Sequence, residues 1–404
     1  MQLFDPPMKR SKSFGPAPAS RPRRGRVPGC FSGLITVLLQ LLHSGKTHAE
    51  DHVDYRFEDY DEEHGRIQVF THSALFEQAL GAAVNAKGEF VYDSISGATP
   101  TGAPPPAGSN QVPLAHMRDI RKAVNLATGI QWGINTTTPQ VAYSIESDYK
   151  SLGISLNNSS DFNQKNTTLT VGVAHDFDTI MEPFFTGDKH KDNTDFLMGV
   201  TQVLGPRTLL SVNLTLGTAS GYLADPYRGF VFPEYDPSAL FAEQRPHHKT
   251  RQILYVSMSQ FIDPLHASAE ASYRFYHDSF GIFGHTASLQ WFQKIGKHVI
   301  LTPMVRYDHQ TAASFYATTL PGDPTLAPAD PFFTVPVPSF YSSDYRLSEM
   351  STCTVGVSTT LVINSHFYLD AGYKRYETHG EDGITSASAY PKADIFTVGT
   401  RIWF

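Results

Sequence analysis

From residue 50 onward, apolar and polar side chains alternate with a period of two, and helical spacing is scarce. In Arg207–Gly217, the residues Thr208, Leu210, Val212, Leu214 and Leu216 fall on one side. Arg207, Ser211, Asn213 and Thr215 fall on the other, with Leu209 out of pattern. In His366–Tyr376 the apolar set is Phe367, Leu369, Ala371 and Tyr373, and Thr286, Ser288 and Gln290 alternate with Ala287, Leu289 and Trp291. Successive side chains of a strand point to opposite faces, so each run predicts a ribbon with one apolar and one polar side. Ribbons of about ten residues with that pattern are the signature of an all-β, antiparallel transmembrane barrel.

A soluble sandwich also alternates. Three features favour the barrel. Aromatic residues cluster near ribbon ends (Tyr222, Tyr227, Tyr273, Phe275, Tyr276, Phe315, Tyr316, Tyr341, Tyr345), as an interfacial girdle requires. Short connections near Ala79–Ala82, Asn135–Pro139, Asp161–Lys165, Gly205–Pro206, Asp263–Leu265, Ile295–Lys297 and Asn364–Ser365 alternate with longer polar ones. The longer ones lie near Ser96–Met117, Asp176–Asp192, Ala219–Lys249, Thr311–Asp344 and Thr378–Pro391. The last ribbon, Asp394–Phe404, ends on an aromatic residue, and Phe404 resembles the signal by which outer-membrane barrels address their assembly machinery.

Strands are expected at 52–60, 65–79, 82–95, 119–133, 138–147, 150–160, 166–175, 192–204, 207–218, 250–262, 266–277, 283–294, 298–310, 346–361, 366–377 and 392–404. That makes about 16 strands, with 14 as the alternative count, and an even number puts both termini on one side of the membrane. The short turns then fall on the periplasmic side. The outer side takes the long loops and tight ones near Glu62–His64, Asp148–Tyr149 and Asp278–Gly281.

Charge separates the chain into two parts. Residues 1–49 hold eight basic side chains and one acid, so the net −7 of the whole chain leaves −14 on residues 50–404. An acidic body repels phosphates, which excludes nucleic acid as a partner. The basic, proline-rich start, the 12-residue apolar stretch Phe31–Leu42 and the small residue Ala49 form the order of a cleavable export signal over 1–49, with a long basic leader and cleavage after Ala49. Arg23-Arg24, Cys30 and Ser44-Gly45-Lys46-Thr47 mimic twin-arginine, lipoprotein and phosphate-loop motifs without their required contexts. After that cleavage only Cys353 is left, so no internal disulfide forms.

Several strings are too particular for a generic barrel. They include Tyr92-Asp93-Ser94-Ile95-Ser96-Gly97-Ala98-Thr99-Pro100, Glu146-Ser147-Asp148-Tyr149-Lys150-Ser151, Gly221-Tyr222-Leu223-Ala224-Asp225-Pro226-Tyr227-Arg228, Glu243 with Arg245-Pro246, Tyr273-Arg274-Phe275-Tyr276 and Ser343-Asp344-Tyr345-Arg346-Leu347-Ser348. Together they resemble a bacterial domain-of-unknown-function family of predicted outer-membrane proteins, across essentially all of 50–404. The resemblance implies a β-barrel in a Gram-negative envelope without an assigned substrate. It also implies a neighbouring small periplasmic lipoprotein and a flavin-attaching enzyme, hence redox work across the envelope, although no Cys-x-x-Cys-His for haem is present.

Charged residues recur on the expected lumen face: Glu146, Glu270, Arg274, Arg306, Asp308, Arg346, Asp370, Lys374 and Arg401. A Lys or Arg on a lipid face at mid-depth costs about 2–4 kcal/mol, so this register is informative. Such residues tune passage through a pore, or they brace the barrel as internal ion pairs; the sequence leaves both open. At about 16 strands an aqueous channel fits geometrically, and loops Ala219–Lys249 and Thr311–Asp344 are the candidates to fold in and constrict it. Asp225-Pro226-Tyr227-Arg228 and Ser343-Asp344-Tyr345-Arg346 read first as turn chemistry. His247-His248 and the set His277, His285, His309 show no recognisable ligand spacing, so no metal or cofactor is expected. Asp308–His309 with Ser314 or Ser279 gives no nucleophile motif, and no enzyme is expected. The sequence therefore points to a porin-like channel or transporter for a small hydrophilic solute. The alternative is a structural or partner-binding barrel with a plugged lumen. The expected partners are outer-membrane lipid, the barrel-assembly machinery and the lipoprotein.

Overall fold

The computed structural model describes residues 51–181, 187–323 and 337–404; the expected export signal and its cleavage point at Ala49 lie outside them. The strands are β1 (His52–Glu62), β2 (Gln68–Ala79), β3 (Val84–Pro100), β4 (Leu114–Trp132), β5 (Asn135–Ile145), β6 (Tyr149–Phe162), β7 (Thr167–Ile180), β8 (Lys189–Gly205) and β9 (Thr208–Gly221). After a hairpin, β10 (Gly229–Phe232) and β11 (Asp236–Ala242), come β12 (His248–Ile262), β13 (Ala267–Asp278), β14 (Phe283–Ile295), β15 (Val299–Gln310), β16 (Met350–Val362), β17 (Phe367–Gly380) and β18 (Lys392–Trp403). All except β10 and β11 pair antiparallel with their chain neighbours, β9 joins β12, and β1 closes against β18. The result is a closed 16-strand barrel, as the alternation predicts. At the seam Asp54 stands opposite Arg401, and the Phe404 amide donates to the Asp51 carbonyl at 3.1 Å.

The register sends each apolar set outward. Leu126, Ile154, Phe196, Met198, Leu214, Leu289, Val357 and Val398, spread around the ring, are exposed large apolar side chains. Met198, Leu214 and Leu254 stand side by side across three strands. The opposite face is polar, and hydroxyl pairs bridge neighbouring strands there: Ser159 with Thr170 and Thr201 with Ser211 at 3.0 Å, Ser272 with Ser288 at 2.6 Å. A ring with an apolar outside and a polar inside is the architecture of outer-membrane barrels.

One turn moves. The connection expected at Asn135–Pro139 is made by Gly133-Ile134, with Gly133 at φ 58°, and Pro139 sits inside β5. Proline forfeits only a ladder donor there, because pairing with β4 lapses between Thr137 and Gln140, while the flanking threonines favour extended backbone.

Among the described residues, the buried apolar clusters lie in the outer loops, at the end opposite His52 and Phe404. Phe230, Phe232 and Tyr341 form one, and Phe280, Ile282, Ala313 and Leu347 the other. The strand expected from residue 346 begins at Met350; residues Tyr345–Leu347 are a single helical turn within the preceding loop.

Candidate functional site

Seven of the charged residues singled out from the sequence lie on the inward face of their strands. Glu270 and Arg274 share it on β13, Arg306 and Asp308 on β15, Asp370 and Lys374 on β17, and Arg401 on β18. Several are satisfied by neighbours. Arg401 forks onto Asp54 with both bonds at 2.7 Å, Arg306 donates to Asp308 at 2.9 Å, and Thr360 donates to Asp370. Ser259 donates to Glu270 at 3.3 Å, and the Arg274 guanidinium lies 5.3 Å from the centre of the Tyr276 ring. Among the described residues Lys374 has no ion-pair partner.

Glu146 follows the end of β5. Its carboxyl is pushed up from the ordinary range by burial and then by the charge of Asp119. Asp119, Glu146 and Asp148 bring carboxylate oxygens within 4.8 Å of one another, a convergence without any sequence spacing to announce it. The histidines behave differently. Strands β13, β14 and β15 are neighbours, so His277, His285 and His309 share the outward face, and His285 stands directly opposite His309. Each has another contact: His285 with the Tyr273 hydroxyl at 2.7 Å, His277 stacked on Phe283, and His309 3.8 Å from Glu349. Asp308 and His309 point to opposite faces of β15, which separates the acid from the base of any relay.

The wall also carries inward ion pairs that sequence reading did not single out: Arg121–Asp93 at 2.6 Å, Lys191–Asp178 at 3.1 Å, Arg251–Asp195 at 2.6 Å and Lys249–Asp278 at 2.8 Å. Their signal was present in the same parity rule, since Asp176 and Asp178, or Lys249 and Arg251, fall on one face.

Arg346 was expected on the wall; the structure places it in the loop between β15 and β16. There it joins the two motifs first read as turns. Asp225 and Asp344 do cap their turns, accepting from the amides of Tyr227 at 2.9 Å and Arg346 at 3.1 Å. Both carboxylates also hold Arg346, Asp344 at 2.9 Å through Nε, so the loops 222–247 and 311–349 are bolted together. Arg245 bridges Glu243 at 2.7 Å and Asp344 at 2.8 Å, and Ser342 donates to Glu243. Arg228 reaches back to Thr99 on β3 at 2.9 Å. The half-buried Tyr345 ring contacts the guanidinium groups of Arg66, at 6.0 Å, and Arg228, at 5.7 Å.

This cap is anchored all round. Gln244 and Tyr341 exchange backbone bonds at 3.0 and 2.8 Å, Gly229 donates to Thr101 at 2.8 Å, and Arg66 donates to the carbonyls of Ser388 and Ala389. At Gly97 of β3 and Gly221 of β9 the φ values of 124° and 103° suit glycine alone, and a Cβ there would run into the backbone carbonyls of Arg66 and His190. Burial pushes the Asp344 carboxyl up, but Arg346, Arg228 and Arg245 outweigh it and hold the group well below the ordinary carboxylate range. For Glu243 burial wins over Arg245, and its carboxyl is raised.

Cap and wall together line a cavity of about 640 Å³, with Lys191 and Arg251 from the wall, Glu146 from the turn after β5 and not from a strand as expected, and Tyr222, Asp225 and Arg346 from the loops. A second cavity of about 610 Å³ opens at the opposite end beside Glu77, Lys87 and Gln131. Charged groups of both signs with adjacent phenol rings suit reversible contact with a small polar solute.

The profile of the family described as "Protein of unknown function (DUF3570)" matches residues 36–184 and 181–394. No curated protein matches the chain. Among solved structures, similar ones include the siderophore receptor PirA from Pseudomonas aeruginosa, 9% identical, TM-score 0.43, with 89% of this chain and 62% of that one covered. A bacterial polysaccharide outer membrane secretin is 8% identical with TM-score 0.47, covering 89% and 100%. The outer membrane protein OmpT of Vibrio cholerae is 9% identical with TM-score 0.43, covering 87% and 98%. The chain thus spans about three fifths of the siderophore receptor's length.

Proposed function

We propose, from the premise that the chain belongs to the family described as "Protein of unknown function (DUF3570)", that it forms an outer-membrane channel or transporter for a small hydrophilic solute. The observation that carries this reading is the mouth cavity, where the charged wall of the barrel meets an ion-paired loop cap. Solute enters through the cap and meets Glu146, Lys191 and Arg251 before the remaining inward charges. Charges of both signs lining a wet passage select by attraction and exclusion without binding tightly enough to block it. The cap gates or filters, because its buried apolar clusters and ion pairs form a small folded unit of their own.

That same unit supports a second reading, in which the cap keeps the barrel closed and the protein serves as a docking body for a periplasmic lipoprotein. Planar-bilayer conductance of the refolded chain separates the two. Discrete open-channel steps that widen when residues 229–242 are replaced by a short Gly-Ser linker are the expected result. Sealed bilayers at high protein load, with and without that replacement, would remove the channel. No catalytic role is proposed, and esterase and protease assays of the same preparation should be silent. Delivery involves the barrel-assembly machinery, with Phe404 as its signal: deleting Phe404 should lower the amount of folded protein at the surface while leaving the selectivity of any conductance unchanged.

A further inference from the structure

At the outer rim of the apolar belt, β4, β5 and β6 align one row of outward residues. Lys122 stands opposite Tyr92 of β3 on one side and Ile145 of β5 on the other, and Ile145 stands opposite Lys150 of β6. Lys122 and Lys150 are exposed, and directly below them Leu126, Tyr143, Leu152 and Ile154 are exposed apolar side chains. Further up β4, Arg118 faces the same way and is exposed. The two lysines are two interstrand steps apart, roughly 10 Å between backbones, and Arg118 lies roughly 13 Å along the strand from Lys122.

None of these three cations has an ion-pair partner among the described residues. The acids of the adjacent turn do not serve them. Asp119 pairs on the inward face with Ile95, and Glu146 and Asp148 line the mouth cavity. The outward acid Asp192 of β8 is two strands away from Lys150 and lies 3.8 Å from His175. The far side of the rim is the opposite case. There Arg375, also outward, is clamped by Glu63, by Glu377 at 3.0 Å and by Asp394 at 3.2 Å, so its charge is already used.

An apolar wall below a row of uncompensated cations, with their long stems able to reach to the headgroup level, matches a lipid and not a protein face. We propose that Lys122, Lys150 and Arg118 form a binding site on the outside of β4–β6 for an outer-leaflet lipid whose headgroup carries two or more phosphates. The spread of the three cations favours phosphates set several ångströms apart over a single one, and the exposed Leu126, Tyr143 and Leu152 receive the acyl chains. The inference requires the outer-membrane placement but not passage of solute.

The test is lipid retention by the full-length refolded barrel, read by native mass spectrometry after exchange from detergent containing bisphosphorylated lipid A, monophosphorylated lipid A or phosphatidylcholine. Bisphosphorylated lipid A should be retained most, and Lys122→Gln with Lys150→Gln should reduce its retention at least about tenfold. Lys122→Arg with Lys150→Arg should restore it, and Arg375→Gln should leave it unchanged. Equal retention of the three lipids by the wild-type barrel, or unaltered preference in the double glutamine variant, would overturn the site. Displacement by millimolar inorganic phosphate would reassign it to a free anion and equally overturn the lipid. Should the glutamine variant fold poorly, the loss of wild-type retention with rising salt still decides the matter, since contacts of this kind weaken with ionic screening. Bilayer conductance of Lys122→Gln with Lys150→Gln should equal that of the wild type, which keeps this result separate from the channel reading.

Discussion

The staves of the barrel and the cap over its mouth are built on opposite plans. A stave such as β9 buries just the small Ala219 among its apolar side chains: Leu210, Val212, Leu214 and Leu216 face outward, and Ser211 and Asn213 face in. Its stability comes from ladder bonds to both neighbours and from an outside that lipid accepts. The cap is assembled like a soluble miniature domain, with fully buried Phe230 and Phe232 and an ion-pair lattice through Glu243, Arg245, Asp344 and Arg346. One region obeys a rule that repeats every two residues, and the other depends on pairs such as Arg245 and Asp344, which lie 99 residues apart. Each region should therefore fail independently.

The largest effect is expected in the cap. Replacing Asp344 by Ala leaves Arg245, Arg228 and Arg346 without their common carboxylate. Removing one member of a buried network costs about 3–5 kcal/mol. Limited proteolysis should then cut within 229–242 while the heat-resistant mobility of the barrel on gels is unchanged; joint loss of both would show that cap and staves fold as one unit.

A charge on the lipid side of a stave should come next. Leu214→Arg, placed between Met198 and Leu254, should destabilise the barrel by about 2–4 kcal/mol in urea titrations in lipid vesicles. Ser257→Arg, on the inward face of the neighbouring β12, should cost far less, and equal losses for the two would contradict the assigned faces.

The smallest and most diagnostic change is in pH. Glu243 has a raised carboxyl, so the folded cap holds that proton more firmly than the unfolded loops. Its contribution is present in acid and fades as pH rises through the raised value. Asp344 is held low, and its contribution is present above the ordinary carboxylate range and disappears only as pH falls towards the depressed value. Mild acidification, through the range where ordinary carboxylates titrate, should thus leave the cap closed. Spin labels at Ser238→Cys and Ser339→Cys in a Cys353→Ser background should keep their separation until strong acid; opening near pH 5 would mean that Asp344 is not the group in control.

Sixteen staves, their inward and outward sets and the alternation of short turns with long loops were legible because strand geometry converts sequence parity into direction. The reading failed where parity was absent. Pro139 suggested a turn because a missing amide is usually found there, yet β5 carries it inside at the loss of two ladder positions towards β4. Arg346 continued the parity of β16 backwards on paper, whereas the adjacent Asp344 cap draws residues 345–347 into a helical turn.

The chain by itself settled the ring, since each stave's pattern needs only its own residues and the nearest strand to be satisfied. Only the folded molecule decided that two Asp–Arg motifs from different loops meet, that three carboxylates converge at Asp119, Glu146 and Asp148, and that Lys122 and Lys150 stand in one unanswered row. Those arrangements depend on strand register and loop closure over long separations. A local pattern carries no information about either until the whole ring has formed.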